Sequence, residues 1–309
     1  MATAIPDVRC GWLRTSLLSL FLFCLGSSPA VAADPATYTY RTRANEVRLT
    51  FSVTDQNDHA VATLQASDFA VVDRDIIVRN FQSFSRSDWT KLEIAILVDA
   101  SGSAKPYFRE ELAQLLDLVS RTAGIPEQNV SIFSFRGLQP VLICAGDCRV
   151  SHAVERIPGA RAGDLTPLFD TIIYASQFLS SRADAHAEKV LVLLSDGTDT
   201  ISRHSLREAM DAALRDEVQI ECVDLNKSST SSAGRSVLQG MASASGGRYF
   251  ASPKTAMDAM DLILESFRAT YRVSYRLPIL ASGFHAVRIL PTHSIKLQFR
   301  SRSGYYFPE

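Results

Sequence analysis

The sequence predicts an α/β protein, with a doubly wound, mostly parallel sheet covered by helices on both faces and a small β module built from the N- and C-terminal flanks. Between residues 91 and 268, short apolar segments alternate with longer ones whose apolar residues recur at helical spacing. In residues 34–90 and 269–309 the apolar residues instead alternate with period two, which is typical of half-buried strands. Each flank is too short for a large core of its own, so we predict that the two pair with each other.

The composition is that of a globular protein. The chain has 309 residues, of which 46% are hydrophobic and 21% are charged. Its formal net charge is −1, and no run of basic residues is interleaved with aromatic ones. No overall field therefore attracts nucleic acid or an anionic membrane, and we expect neither as a partner.

Residues 1–33 have the pattern of a secretory signal peptide. Arg9 and Arg14 precede a short apolar segment, residues 17–25, and Ala30-Val31-Ala32 is a small-residue cleavage site. An uncleaved anchor is the alternative. No later run reaches the ~18–20 apolar residues of a membrane span. We expect an exported mature protein, periplasmic or secreted, without a membrane span.

Three cysteines remain after removal of the signal peptide. Cys144 and Cys148 enclose a glycine-containing turn and either close a small disulfide in an oxidising compartment or stay free. Cys222 lies in an apolar run and is predicted to be buried. A zinc site is not indicated, because there is no second cysteine pair and the histidines are scattered.

The elements follow in order along the chain. Residues 45–54 alternate as a strand, and strand-like pieces follow at 69–72 and 76–84. Within the α/β region, Thr166 and Pro167 are expected to open a helix, with threonine as N-cap and proline in the first turn. Further strands are predicted at 92–98, 130–135, 141–144, 190–194, 218–225 and 248–250, and in the C-terminal flank at 271–275, 286–290, 295–299 and 305–307. Further helices are predicted at 108–119, 206–214, 236–244 and 255–267.

Oxygen-bearing side chains follow two of the apolar strands and open one of the helices. In a doubly wound sheet such loops meet at the carboxyl edge, where ligands bind. Two carboxylates and three hydroxyls form a hard donor set that suits Mg²⁺, with Mn²⁺ or Ca²⁺ as alternatives. Asp164 and Asp199 lie near these loops and are expected to support the site or be solvated. The candidate ligands are Asp99, Ser101, Ser103, Thr166 and Asp196.

The region from Lys91 to Phe267 resembles the von Willebrand factor A domain with its metal-ion-dependent adhesion site. The D-x-S-x-S motif of that family matches D-A-S-G-S at residues 99–103, its threonine matches GDLTPLFDTI, and its aspartate matches VLLSDGTDT. The resemblance implies that Ser101, Ser103 and Thr166 bind the cation directly, and that Asp99 and Asp196 bind it directly or through water.

The flanks are similar to those of exported bacterial proteins of the acidobacterial von Willebrand A-related group. Two departures from the family pattern are Ala104, where methionine is frequent, and Asp164, where a small residue is common. Asp164 adds a carboxylate near the site, which is expected either to tighten metal binding or to weaken the preference for an acidic group of a partner.

The predicted function is a non-catalytic adhesion or interaction module, in which the cation binds an acidic residue of a protein partner. No G-x-S-x-G elbow and no glycine-rich phosphate loop is present. A metal-dependent hydrolase also needs a general base near the ion, and only Asp164 or Asp199 is available for that role. Such a hydrolase and a structural scaffold with a vestigial metal site remain the alternatives.

Overall fold

The computed structural model describes most of the chain from Asn45 onward. The described residues belong to one unit that begins at Thr42. The predicted signal peptide and the predicted helix at 108–119 lie outside them, as do Ser103 and Asp164. The described ranges are 45–57, 59–87, 92–101, 127–146, 148, 165–184, 187–225, 232–251, 263–264, 267, 270–292 and 296–307.

The strands and helices of these ranges are numbered in chain order. The strands are β1 (Glu46–Thr54), β2 (Phe69–Asp73), β3 (Ile76–Val78), β4 (Phe81–Arg86), β5 (Leu92–Asp99), β6 (Val130–Arg136), β7 (Gln139–Ala145), β8 (Glu188–Ser195), β9 (Val218–Asp224), β10 (Tyr249–Phe250), β11 (Thr270–Arg276), β12 (Gly283–Pro291), β13 (Gln298–Ser301) and β14 (Gly304–Phe307). The helices are α1 (Leu168–Arg182), α2 (Leu206–Arg215) and α3 (Ser232–Ser245).

The central sheet has six strands in the order β10-β9-β8-β5-β6-β7. All neighbours are parallel except β7, which forms an antiparallel hairpin with β6. Every residue of β5 is buried, because both faces of the sheet are covered. Helices α1, α2 and α3 pack on one face, and the helical residues Ile263 and Phe267 pack on the other. The predicted doubly wound fold is confirmed.

Helix α1 starts later than predicted. It begins at Leu168, Pro167 occupies the N-cap position, and neither Thr166 nor any other residue supplies a local side-chain cap. The backbone N–H of Phe169 instead donates to Asp199 Oδ2 at 3.1 Å, and that of Asp170 to Ser202 Oγ at 3.1 Å. The assignment of Thr166 as N-cap is therefore wrong, because this helix is capped from a distant loop.

The flanks form two four-stranded sheets, in the orders β13-β1-β11-β4 and β14-β12-β2-β3. Each sheet combines strands from both ends of the chain: β1 pairs antiparallel with β11, and β12 with β2. The inward side chains form one shared core, which includes Phe51, Phe69, Val273 and Tyr275. The predicted β module built from both flanks is confirmed as part of the fold.

One predicted element of this module is wrong. Residues 76–84 were expected to form a single strand-like piece, but they split into β3 and β4, which belong to different sheets. Arg79 and Asn80 carry the chain from one sheet to the other. Both β3 and β4 contain apolar residues. The pattern of apolar side chains therefore does not reveal where one strand ends and the other begins.

The β module contacts the central domain at the amino-terminal edge of its sheet. Glu188, the first residue of β8, accepts a hydrogen bond from Arg272 of β11 at 2.8 Å. Glu217, which precedes β9, pairs with Arg302 at 3.0 Å. The carboxyl ends of the parallel strands lie at the opposite edge of the sheet.

The sulfur atoms of Cys144 and Cys148 are joined in a disulfide. This bridge lies at the end of β7, on the edge strand of the central sheet. Cys222 is a free, buried thiol on β9, as its apolar surroundings predicted.

Candidate metal-binding site

Asp99 ends β5 at the carboxyl edge of the central sheet, and its side chain is only 1% exposed. Its Oδ1 accepts the backbone N–H of Ser101 at 2.9 Å, and its Oδ2 accepts the hydroxyl of Ser195 at 2.7 Å. The Ser101 hydroxyl also bonds to this carboxylate. These bonds hold the carboxylate in one orientation at the start of the loop.

The loops that carry Thr166 and Asp196 are tied to each other. The backbone N–H of Thr166 donates to Thr200 Oγ1 at 2.7 Å, and the N–H of Thr200 donates to the Thr166 carbonyl at 2.9 Å. Asp196 is partly exposed, and its Oδ1 accepts the N–H of Thr198 at 2.9 Å. The second and third loops predicted to form the site therefore meet in the structure.

The two carboxylates of the site influence each other. Burial raises the pKa of Asp99, hydrogen bonds from Ser101 and Ser195 lower it, and the negative charge of Asp196 raises it again. Like charges that act on each other are unfavourable unless a cation lies nearby. A divalent ion bound to both carboxylates would relieve this repulsion.

The donor atoms fit such an ion. The carboxylates of Asp99 and Asp196 and the hydroxyls of Ser101 and Thr166 are all oxygen donors, which hard cations prefer. Within the described ranges, no group of three or more His, Cys, Asp or Glu side chains is placed to hold a metal. An ion at this edge would therefore be held by hydroxyls as well as carboxylates.

Asp199 has a defined place beside these groups. Its carboxylate caps α1 at Phe169 and accepts both the backbone N–H of Ser202, at 3.2 Å, and the hydroxyl of Ser202, at 2.5 Å. Since α1 begins two residues after Thr166, Asp199 fixes the position of the threonine loop.

Two residues of the site escaped the sequence reasoning. Ser195 is fully buried and links Asp99 to the third loop, since its hydroxyl donates to Asp99 and accepts the N–H of Gly197 at 3.1 Å. Gly197 has φ +79°, and an added Cβ would lie 2.3 Å from the Gly234 carbonyl oxygen at the start of α3. The sequence Ser-Asp-Gly directly after an apolar strand is the feature from which the roles of both residues could have been predicted.

The sequence model of the von Willebrand factor type A domain matches residues 93–263, more than half of the chain. The chain belongs to the von Willebrand factor type A family. The matched region, hereafter the A domain, contains the described site residues Asp99, Ser101, Thr166 and Asp196. Domains of this family commonly mediate protein–protein adhesion through a metal site and are generally interaction modules rather than enzymes.

Several solved structures are similar to this chain. Proximal thread matrix protein 1 from the mussel byssus, solved with a zinc-occupied MIDAS motif, is 17% identical with a TM-score of 0.45; the match covers 60% of this chain and 46% of that one. Manganese-loaded TRAP protein of Plasmodium vivax is 16% identical with a TM-score of 0.44, covering 73% and 98%. An aerotolerance-related membrane protein from Bacteroides fragilis is 15% identical with a TM-score of 0.42, covering 57% and 98%. The chain thus spans less than half of the mussel protein. No curated protein matches it.

In the part of the chain that the structure describes, no helix combines the length and the apolar character needed to cross a membrane.

Proposed function

We propose that this protein is an exported, non-catalytic interaction module whose A domain binds an acidic residue of a protein partner through a divalent cation. The observation that carries the proposal is the buried, oriented carboxylate of Asp99 beside the charge of Asp196 and the loop of Thr166. Membership of a family that commonly mediates adhesion supports it.

The residues proposed to hold the cation are those expected from the sequence. They provide only two negative charges, and their other donors are neutral hydroxyls, so a bound divalent ion would remain attractive to a further carboxylate. An acidic side chain of a partner supplies that group. The proposed ion is Mg²⁺, with Mn²⁺ or Ca²⁺ as alternatives, and the proposed ligands are Asp99, Ser101, Ser103, Thr166 and Asp196.

Hydrogen bonding favours binding over hydrolysis. The hydroxyls of Ser101 and Ser195 are buried, which shields both from attack on a substrate. Asp199 is occupied as the cap of α1, which removes it from the role of general base. Export is supported by the signal-like residues 1–33 and by the Cys144–Cys148 disulfide, a bond that persists in oxidising compartments.

The test is Asp99→Ala in the mature protein, with Asp75→Ala as the matched control on the β module, where the Asp75 side chain is 94% exposed. Calorimetric titration with Mg²⁺ should show binding to the wild type and to Asp75→Ala, and none to Asp99→Ala. A pull-down from the native envelope should capture a partner in Mg²⁺ and release it in EDTA. Capture that survives both EDTA and Asp99→Ala contradicts the proposal. Mg²⁺-dependent turnover of ester, peptide or phosphate substrates would favour the hydrolase.

A further inference from the structure

Four polar side chains form a buried cluster in the core of the β module. Asp73, Tyr275 and His285 are 0% exposed, and Tyr305 is 7% exposed. Asp73 lies on β2, from the N-terminal flank, and the other three lie on β11, β12 and β14, from the C-terminal flank. The cluster therefore joins both flanks and both sheets of the module. It lies outside the A domain and is independent of the function proposed for the metal site.

Both tyrosines of the cluster donate to the same carboxylate oxygen. The hydroxyl of Tyr275 lies 2.9 Å from Asp73 Oδ2, and that of Tyr305 lies 2.6 Å from it. Burial and the contact with Asp73 raise the pKa values of both phenols, so both keep their protons. An ionised carboxylate only accepts hydrogen bonds, and a hydroxyl has one proton to donate. The protons of Tyr275 and Tyr305 are therefore both used on Oδ2.

Both ring nitrogens of His285 face acceptor atoms. Nε2 lies 2.6 Å from the carbonyl oxygen of Ala281, which can only accept, so Nε2 carries a proton. Nδ1 lies 3.2 Å from the hydroxyl oxygen of Tyr305 and 3.4 Å from Asp73 Oδ1. Since Tyr305 gives its proton to Asp73, its oxygen can only accept from Nδ1. If Tyr305 donated to Nδ1 instead, its oxygen would face Asp73 Oδ2 at 2.6 Å with no proton between them.

A second ring proton, on Nδ1, completes the cluster. Among the described residues, none donates a hydrogen bond to the buried Asp73 Oδ1. With a neutral imidazole, the lone pairs of Nδ1, Tyr305 and Asp73 would face one another, and the buried charge of Asp73 would be costly. An imidazolium donates from Nδ1 and neutralises that charge. The proton resides on the histidine because imidazole is a stronger base than a carboxylate.

The other charged group that faces the cluster already has a partner. The guanidinium carbon of Arg302 lies 5.9 Å from the centroid of the Tyr305 ring, and its positive charge acts on both tyrosines. Arg302 also pairs with Glu217 of the A domain at 3.0 Å. The Tyr305 ring stacks on the other side of the cluster against His285, with ring centroids 5.0 Å apart. The charge of Asp73 is therefore neutralised by His285.

We propose that the buried pair of Asp73 and the His285 imidazolium is a pH-sensitive link between the two flanks, which stabilises the β module until alkaline pH removes the proton. In an unfolded chain a histidine loses its proton near pH ~6.5. Below this pH both states carry the proton, and above it only the folded protein does. The free energy of unfolding therefore falls as the pH rises above about 6.5, until the folded pair also loses its proton.

The first measurement is a proton–nitrogen correlation spectrum of the isotopically labelled mature protein at about pH 8, where an exposed histidine is neutral. The ring of His285 is identified by its nuclear Overhauser contacts with the ring of Tyr305. Both of its nitrogens should be protonated, whereas His59, whose side chain is 78% exposed, should be neutral. A neutral ring of His285 at this pH overturns the proposal.

The second measurement is urea unfolding of the wild type and Asp73→Asn at several pH values between about 6 and 9. The asparagine oxygen can accept from both tyrosines, and its amide can donate to a neutral Nδ1 of His285, so the cluster stays bonded without a charge pair. Above pH ~6.5 the unfolding equilibrium constant of the wild type should rise, relative to that of Asp73→Asn, by up to about tenfold per pH unit.

The matched control is Asp55→Asn, which removes the carboxylate of an exposed aspartate–histidine pair in the same module. Asp55 lies 3.3 Å from His59, and the two side chains are 40% and 78% exposed. This variant should follow the wild type at every pH. A constant ratio between the wild type and Asp73→Asn across the range overturns the proposal. If Asp73→Asn does not fold, the spectrum of the wild type still decides between an imidazolium and a neutral ring.

Discussion

Replacing Glu221 with glutamine is expected to stabilise the protein above pH 7 and to flatten the pH dependence of its stability. Glu221 is completely buried on β9, and burial raises its pKa from 4.5 to about 7 in the folded protein. In the unfolded chain the carboxyl is solvated and ionises near its ordinary value.

The direction in which stability changes with pH follows from the number of protons that the folded and the unfolded chain bind. Between the two pKa values the folded protein keeps a proton that the unfolded chain has lost, so the free energy of unfolding falls as the pH rises through this window. The shift from 4.5 to about 7, at about 1.4 kcal/mol per unit, gives a penalty of about 3 kcal/mol above pH 7. Glutamine cannot ionise, and its carbonyl can still accept the backbone N–H of Arg248. The amide of Gln219 can rotate to accept a hydrogen bond from the new side chain.

The assay is urea unfolding of the mature protein followed by circular dichroism in EDTA, at several pH values between about 5 and 8. The difference between Glu221→Gln and the wild type should grow with pH and level off above pH 7. Glu46→Gln, a partly exposed glutamate at the start of β1, is the control and should show no such growth. An equal difference at the two ends of the pH range would refute the reasoning, because burial would then impose no penalty on the ionised form.

Two further substitutions test the β module and the third loop of the metal site. Tyr305→Phe should lower the free energy of unfolding by about 1–3 kcal/mol in urea, because the Tyr305 hydroxyl donates at 2.6 Å to the buried Asp73 carboxylate, which loses a donor. Gly197→Ala should destabilise the protein by about 1–3 kcal/mol and weaken Mg²⁺ binding in calorimetry, because φ is +79° and the new Cβ would meet the Gly234 carbonyl.

Each of these substitutions has a matched control. Tyr174→Phe removes a hydroxyl from a side chain that is 46% exposed and should change stability little; a loss as large as that of Tyr305→Phe would show that the Asp73 contact is not the cause. Gly240→Ala, in α3 with no atom within 4 Å of the new Cβ, should stabilise by up to about 1 kcal/mol. If Gly197→Ala behaves like Gly240→Ala, the close approach of α3 to this loop does not constrain the loop.

The central sheet could be predicted from sequence because its signal is local. A strand buried on both faces, such as β5, appears as a continuous apolar run whatever its neighbours are. The inner stripe of α1, for example Leu168 and Ile172, follows from helical spacing alone and is fully buried. The positions of Asp99 and Asp196 at or directly after the ends of apolar strands likewise predict that both lie at the carboxyl edge of the sheet.

The features that the sequence did not predict depend on contacts between residues far apart in the chain. The cap of α1 comes from Asp199, so a local rule assigned that role to Thr166. Ser195 is oriented by Asp99 across the gap between two strands, and nothing in its own segment reveals this bond.

The two points at which the chain passes between the β module and the central domain lie close together. This closeness affects the order in which the two parts can fold. The N–H of Ser87, directly after β4, donates to the carbonyl of Thr270, at the start of β11, at 2.8 Å. The module must otherwise join partners as distant as Asp73 and Tyr275, which are 202 residues apart. Closing so long a loop in an unfolded chain is entropically unfavourable and slow. We expect the A domain to fold first, because its two ends then become neighbours and the effective loop between the flanks becomes short.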